Sequence, residues 1–274
     1  MSYADVNGQR LYYEVHGDGE PLLMHPGFGC AVEVYWANVA PLAEHFLVIV
    51  FDPRGAGRSS SGAGEGTTMK DYADDAVGLL EHLGIASAHV FGASFGGMVA
   101  QHIALERAAR VRRLVLACTT VGGGAHVLPP AANIERFVAA SSITDPTDAV
   151  RSTYFINYSD EYVAAHDAEI VARAVRNAGL RSTPEGLASQ IAAVQGHDTF
   201  ARLGEIGQET LIIHGAHDGT VPFENGQMLA AGIPNHHFVV YPTARHLVFT
   251  ECASAMNGEI VAFLKAPSPI GATG

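Results

Sequence analysis

Residues 90–98 read Val-Phe-Gly-Ala-Ser-Phe-Gly-Gly-Met, an apolar run that passes into Gly-x-Ser-x-Gly and then straight into a segment with helical spacing. A serine at such a strand-to-helix turn has its hydroxyl lifted clear of the sheet, and the helix that follows aims free amides and its positive dipole end at the same point. Ser94 is therefore a candidate nucleophile, with Gly92 and Gly96 leaving space where neighbouring chains press close. The five-residue pattern alone is weak, because Gly and Ser are common in loops; the strand before it and the helix after it carry the argument.

A serine hydroxyl attacks a carbonyl only when a base takes its proton and an acid orients that base. Downstream, Thr210-Leu-Ile-Ile-His-Gly-Ala-His-Asp218 is an apolar strand running to an Asp, and Val239-Val-Tyr-Pro-Thr-Ala-Arg-His246 is the next strand, running to a His. Consecutive strand ends should set Asp218, His246 and Ser94 along one rim of a sheet, where α/β proteins keep their functional groups. Taken singly, Asp218 fits a helix cap before Phe223 and His246 a solvated loop residue; their joint placement favours a Ser-Asp-His set. Acyl transfer also needs donors for the developing oxyanion. The Phe95 amide, next to the nucleophile, is one candidate. The other comes from the loop that leaves the third strand, Leu22 to Gly29, where Gly27 permits the turn and Phe28 is the best candidate.

The elements that must position these groups alternate. Near the start, Asn7-Gly8 between two apolar segments is the signature of a two-residue hairpin. Short apolar runs follow at residues 21–24, 46–51, 88–91, 111–118, 210–213 and 237–241; they are too short for helices and too uniformly apolar for half-exposed strands, so they read as strands buried on both faces. Helical spacing fills residues 34–45, 69–83, 98–107, 223–231 and 247–264. This alternation predicts a doubly wound, mostly parallel α/β sheet behind an N-terminal antiparallel hairpin. Between about residues 121 and 203 strand-like runs give way to helical stretches such as 164–178 and 184–194, which predicts a helical cap at 121–203 inserted in a core made of 1–120 and 204–274. A Ser/Gly-rich loop at 59–66 and a tail at 266–274 are the low-complexity stretches.

Composition bounds the partners. A net charge of −12 argues against a nucleic-acid partner, which demands a basic surface. No apolar run reaches membrane-spanning length and residues 1–5 lack signal-peptide character, which predicts a cytoplasmic protein with no membrane partner. Cys30, Cys118 and Cys252 are odd in number and scattered, and His214-x-x-His217 and His236-His237 lack a third ligand at metal spacing, so neither a disulfide framework, a metal nor a cofactor is expected.

The quoted residues resemble the α/β-hydrolase superfamily, in its branch of small capped esterases, lactonases and cofactor-free haloperoxidase- or perhydrolase-like enzymes. The resemblance also rests on Trp36, on Asp52-Pro-Arg54-Gly-Ala-Gly57-Arg-Ser59 after the fourth strand, on the 214–218 acid loop, and on His246 followed by Glu251. It implies that Asp52 and Arg54 are structural. The chain departs from the pattern in two places: Pro26 stands where a His often precedes the oxyanion-loop Gly, with His25 one residue earlier, and Arg245 stands where many members have Gly, a cation that would bias the site toward anionic groups. Ser94 argues against the epoxide hydrolases and dehalogenases of this fold, which use Asp at the elbow.

The expected function is hydrolysis of a small carboxylic ester or lactone through Ser94, His246 and Asp218, with a small-molecule substrate and a monomer or homodimer as the working unit. Phe137, Tyr154, Phe155 and Tyr158 are the cap aromatics expected to line an acyl pocket, and Arg151 is a cap cation able to hold a carboxylate. Two alternatives share the same residues: C–C bond hydrolysis of a β-diketone-like or ring-cleavage product, and a slow-turnover ligand receptor on a hydrolase scaffold.

Overall fold

In a computed structural model that describes residues 2–61, 64 and 66–267, Asn7 and Gly8 both take positive φ and turn β1 (Ser2–Val6) back against β2 (Gln9–His16). This is the two-residue turn whose backbone twist suits paired strands. The remaining strands are β3 (Glu20–His25), β4 (Phe46–Phe51), β5 (Ala88–Ala93), β6 (Val111–Ala117), β7 (Thr210–Gly215) and β8 (His236–Tyr241). They form one sheet in the order β1-β2-β4-β3-β5-β6-β7-β8. β1, β2 and β4 pair antiparallel, and every pair from β4 onward is parallel. After β3 the chain steps to β4 on one side, then crosses back to β5 on the other. The loops leaving β3 and β5 therefore part at the switch point, where an open α/β sheet forms its crevice.

The helices are α1 (Val39–Ala43), α2 (Met69–His82), α3 (Phe95–Glu106), α4 (Ala131–Ser141), α5 (Pro146–Ser152), α6 (Tyr154–Asn157), α7 (Asp160–Arg176), α8 (Pro184–Gln195), α9 (Phe223–Gly232), α10 (Val248–Glu251) and α11 (Ala253–Lys265). Strand periodicity divides the core into two layers. Leu23, Ile49, Val90, Leu114 and Ile212 face α2, α3 and α9, while Leu22, Val48, Phe91, Val115 and Leu211 face the side covered by α11. Burial of both faces explains the uniformly apolar strands. β8 differs: it is the sheet edge and lies half exposed along most of its length.

Two expected helices are broken. Residues 34–45 split into a short 3₁₀ turn, Val32–Tyr35, and α1, because Pro41 has no N–H to donate and crowds the carbonyl four residues earlier, so it is accommodated only in the first turn of a new helix. Residues 247–264 split at Cys252 into α10 and α11. Of the Ser/Gly-rich loop, residues 62, 63 and 65 lie outside the described residues, as does the tail from 268 onward. No helix among the described residues is long and apolar enough to cross a membrane.

Helices α4 to α8 occupy the chain between β6 and β7, and the two ends of that stretch are stitched together. Gly123 N–H donates to His197 O at 2.8 Å, Thr199 N–H donates to Val121 O at 2.9 Å, and Gly122 bridges Asp198. The His197 ring is buried in the stitch, with Nε2 donating to Thr120 O at 3.1 Å and Nδ1 facing His102 Nε2 at 3.2 Å. Burial pushes its pKa down to about 4, only partly opposed by the Thr120 carbonyl. His25, at the end of β3, is likewise pushed down to about 4 by complete burial, while its Nδ1 donates to Pro26 O.

The unfolded chain takes up these two protons near pH 6.5 and the folded chain only near pH 4, so their contribution to stability is present above 6.5 and lost as pH falls toward 4. The loss is about 1.4 kcal/mol per pH unit for each ring inside that window. Thermal unfolding at pH 7 and pH 5 should show a lower Tm at pH 5, and His197→Gln should narrow the gap. Equal gaps in the two proteins would mean His197 is protonated as easily folded as unfolded.

Candidate active site

Ser94 sits between β5 and α3 with φ 55° and ψ −117°, a conformation that strains any residue with a side chain. Three glycines make the turn feasible. A β-carbon at Gly92 would strike the Gly96 carbonyl, one at Gly96 would strike the His25 carbonyl, and one at Gly97 would strike Thr119. The strained peptide is held on both sides: Ser94 N–H donates to Ala117 O at 2.9 Å, and the Thr119 hydroxyl donates to Ser94 O at 2.7 Å.

The loops after β7 and β8 bring the other two residues to Ser94. Asp218 Oδ1 accepts the amides of Thr220 and Val221, each at 2.8 Å, and Oδ2 faces His246 Nδ1 at 2.8 Å. Because a carboxylate can only accept, that contact puts the imidazole proton on Nδ1 and leaves Nε2 bare. Nε2 lies 3.1 Å from Ser94 Oγ and can take the hydroxyl proton. Burial alone would raise the Asp218 pKa, but His246 and His214 outweigh it and bring it down to about 2, so the carboxylate stays charged at any physiological pH.

His214 opens the acid loop, although no role in the site was legible for it in the sequence. It is fully buried on β7, donates through Nε2 to Val221 O at 2.8 Å, and lies 3.4 Å from Asp218 Oδ2. It thus supports both the carboxylate and the turn that caps it.

The two candidate oxyanion donors flank Ser94. Phe95 is the first residue of α3, so its N–H has no carbonyl one turn earlier within the helix to bond. The Phe28 N–H donates to no group among the described residues, and Gly27 brings that loop close to the Ser94 β-carbon. One residue on, Gly29 N–H donates to Gln190 Oε1 of α8 at 2.7 Å. Gln190 is completely buried, and sequence reasoning missed it because its partner lies 161 positions away.

The helical insertion also grips the His246 loop. His246 N–H donates to Ile156 O at 3.2 Å and Leu247 N–H to Asn157 O at 3.0 Å. The Arg245 guanidinium donates to Phe155 O at 2.9 Å and pairs with Asp160, while Glu251 accepts from the amides of Ser159 and Arg245. Arg245 is thus engaged with the insertion rather than with the interior of the site.

A cavity of about 610 Å³ opens over Ser94 and His246, of a size that suits a small organic molecule. Its walls are chiefly apolar, with Phe28, Met98, Phe137, Ile191 and Phe249 among them. Of the four aromatics expected there, Phe137 lines it. Tyr154, Phe155 and Tyr158 are not among its lining residues: the Tyr154 hydroxyl donates to Asp167, the Phe155 ring carries the Arg136 guanidinium, and Tyr158 stacks on Tyr162. Arg151 is paired with Asp167 on the surface. Tyr154 and Phe155 sit on the single turn of α6, and which way its side chains face is set by contacts with distant elements. Asp52 and Arg54 serve structure: Asp52 accepts the amides of Val32 and Arg58, and Arg54 forms a buried two-point pair with Asp75 at 2.6 Å for each contact.

A mostly parallel sheet whose strand ends carry a serine, a histidine and an aspartate in one hydrogen-bonded line is the arrangement that serine hydrolases use. The model of the alpha/beta hydrolase fold matches residues 20–252, and the chain belongs to that family. The carbamate hydrolase RutD of Variovorax paradoxus (strain S110) is 31% identical over 268 residues, covering 95% of this chain and 98% of the relative. Among solved structures, a hydrolase from Pseudomonas aeruginosa PA01 is 31% identical with a TM-score of 0.82, covering 97% of this chain and 98% of its own. The enol-lactonase from Burkholderia xenovorans LB400 is 26% identical with a TM-score of 0.83, covering 97% and 100%.

Replacing Gln190 with Leu removes the acceptor of the Gly29 amide while keeping a side chain of comparable bulk. The kcat of the variant on an activated ester should fall roughly 10-fold with KM changed much less, since a mispositioned oxyanion donor is felt in the transition state. An unchanged kcat would mean the loop holds its own shape.

Proposed function

We propose that this hydrolase cleaves small carboxylic esters or lactones through an acyl-enzyme on Ser94. The observation that carries the reading is the unbroken line from Asp218 Oδ2 through His246 to Ser94 Oγ, at 2.8 and 3.1 Å, opening into a largely apolar cavity. The similarity to an enol-lactonase over the whole chain is consistent with it.

His246 Nε2 takes the Ser94 proton as Oγ bonds to the substrate carbonyl carbon. The carbonyl oxygen becomes an oxyanion facing the amides of Phe28 and Phe95, and the α3 N-terminus adds its partial positive charge. Asp218 stabilises the imidazolium that forms. As the intermediate collapses, the C–O bond to the leaving alcohol breaks and His246 protonates that oxygen. Water then repeats the cycle on the acyl-serine: His246 takes its proton, hydroxide bonds to the carbonyl carbon, and the proton returns to Ser94 as the acid departs. In a lactone the leaving oxygen stays tethered, so one hydroxy acid is released instead of two products.

The helical stretch 121–203 acts in this reading as the cap that selects substrate, since Phe137 and Ile191 come from it while the reacting groups come from the sheet. The substrate is the partner this site calls for, and the chemistry needs no cofactor.

Ser94→Ala should abolish steady-state hydrolysis of p-nitrophenyl acetate, a loss of roughly 10⁴-fold or more in kcat, with an unchanged circular dichroism spectrum. A folded variant that keeps its activity would remove Ser94 from the mechanism. A panel of acyl chain lengths and lactone ring sizes would then rank the substrates.

A further inference from the structure

Of the 16 Lys and Arg residues in this chain, nearly all are committed. Arg54, Arg58, Lys70, Arg107, Arg110, Arg112, Arg113, Arg151, Arg173, Arg202 and Arg245 pair with carboxylates. Arg10 and Arg136 lie over aromatic rings, and Lys265 reaches His45. Arg176 and Arg181 have neither an ion pair nor a side-chain hydrogen bond among the described residues. Arg176 ends α7, away from the cavity. Arg181, in the linker between α7 and α8, lines the cavity that holds Ser94.

The cavity is unusual in its acids as well. The chain carries 28 Asp and Glu, and yet none of them lines the cavity among the described residues. The acids nearest the chemistry are screened from it, Asp218 behind His246 and Glu251 bound to two amides. An acidic protein with net charge −12 thus has one uncommitted arginine in the wall of its site. His126, also in the wall, donates through Nδ1 to Gly123 O at 2.6 Å and has its other ring nitrogen left for a ligand. A guanidinium with five donors in a planar fork matches a carboxylate at two points. The exposed, unpaired state of Arg181 does nothing for the fold, whereas a ligand carboxylate would complete it.

The geometry points to Arg181 as the residue that receives a carboxylate carried by the substrate, so that the natural substrates are anionic: half-esters of dicarboxylic acids, or lactones bearing a carboxylate. This inference rests on the acyl-transfer reading of Ser94 and specifies its substrate class. The apolar wall takes the methylene chain, Ser94 takes the ester carbonyl, and Arg181 takes the far carboxylate. Long-range repulsion from an acidic protein is screened within about 8 Å at physiological salt, leaving the local cation to decide which ligand is held.

Monomethyl adipate and methyl hexanoate have the same ester and chain length and differ in a terminal carboxylate against a methyl group. Hydrolysis of both by the wild type, Arg181→Gln and Arg181→Lys is followed by pH-stat. The wild type should prefer the half-ester. Arg181→Gln should lose roughly 10- to 100-fold in kcat/KM on monomethyl adipate, mostly through KM, and stay within about two-fold on methyl hexanoate; Arg181→Lys should recover part of the loss. Equal effects on both substrates, or no effect on either, would overturn the proposal. A second measurement separates its failure from that of the ester reading: calorimetric binding of adipate to Ser94→Ala, with and without Arg181→Gln. Loss of adipate affinity with the Arg change supports the carboxylate site even where neither ester turns over, an outcome that would overturn only the ester chemistry; adipate affinity indifferent to Arg181 overturns the carboxylate site even where both esters are cleaved.

Discussion

The backbone of Ser94 is the constraint on which the rest of the site depends. A residue with a side chain held at φ 55° costs on the order of 1–3 kcal/mol, and the turn persists because its surroundings leave no alternative. Gly92, Gly96 and Gly97 let β5, the β3 exit and Thr119 close to distances that any β-carbon would forbid. That closeness has two effects. It pushes the hydroxyl outward, and it brings the β3 loop with Phe28 beside the start of α3, so that the candidate nucleophile and the candidate oxyanion donors come from one local packing solution. His25 forms the floor of this arrangement, its ring set edge-on to Phe51 and near Phe95, and its carbonyl accepting the Tyr35 hydroxyl.

Much of this was legible in the chain before any coordinates. Asn7-Gly8 marks the hairpin, the two-sided apolar runs mark the parallel strands, and Gly-x-Ser-x-Gly between a strand and a helix marks the elbow. Asp218 and His246 were recoverable because each follows a strand at the functional edge, where topology alone forces proximity. The illegible parts depend on contacts between distant segments. Gln190 reaches Gly29 across 161 positions, His214 looks like one more residue of a buried strand, and the orientation of α6 sends Tyr154 and Phe155 to surface partners. Pro41 could have been read as a helix breaker and was masked by the surrounding helical spacing.

The insertion is fastened to both halves of the chemistry. It meets the β3 loop through Gln190 and the His246 loop through Ile156, Asn157 and Glu251. A displacement of the insertion large enough to admit a bulky ligand must strain one of these contacts, so substrate accommodation and the alignment of His246 share a common free energy.

Most of the bonds between the insertion and the His246 loop end on main-chain carbonyls, those of Phe155, Ile156 and Asn157. A carbonyl is supplied by every amino acid, so the fastening is indifferent to which side chains the insertion carries. Apart from Gln190, the residues that these helices turn toward the cavity can change, and with them the shape and charge of the chamber, while the His246 loop keeps its anchorage. A scaffold fastened in this way can change what it accepts by point substitution without first rebuilding how it reacts.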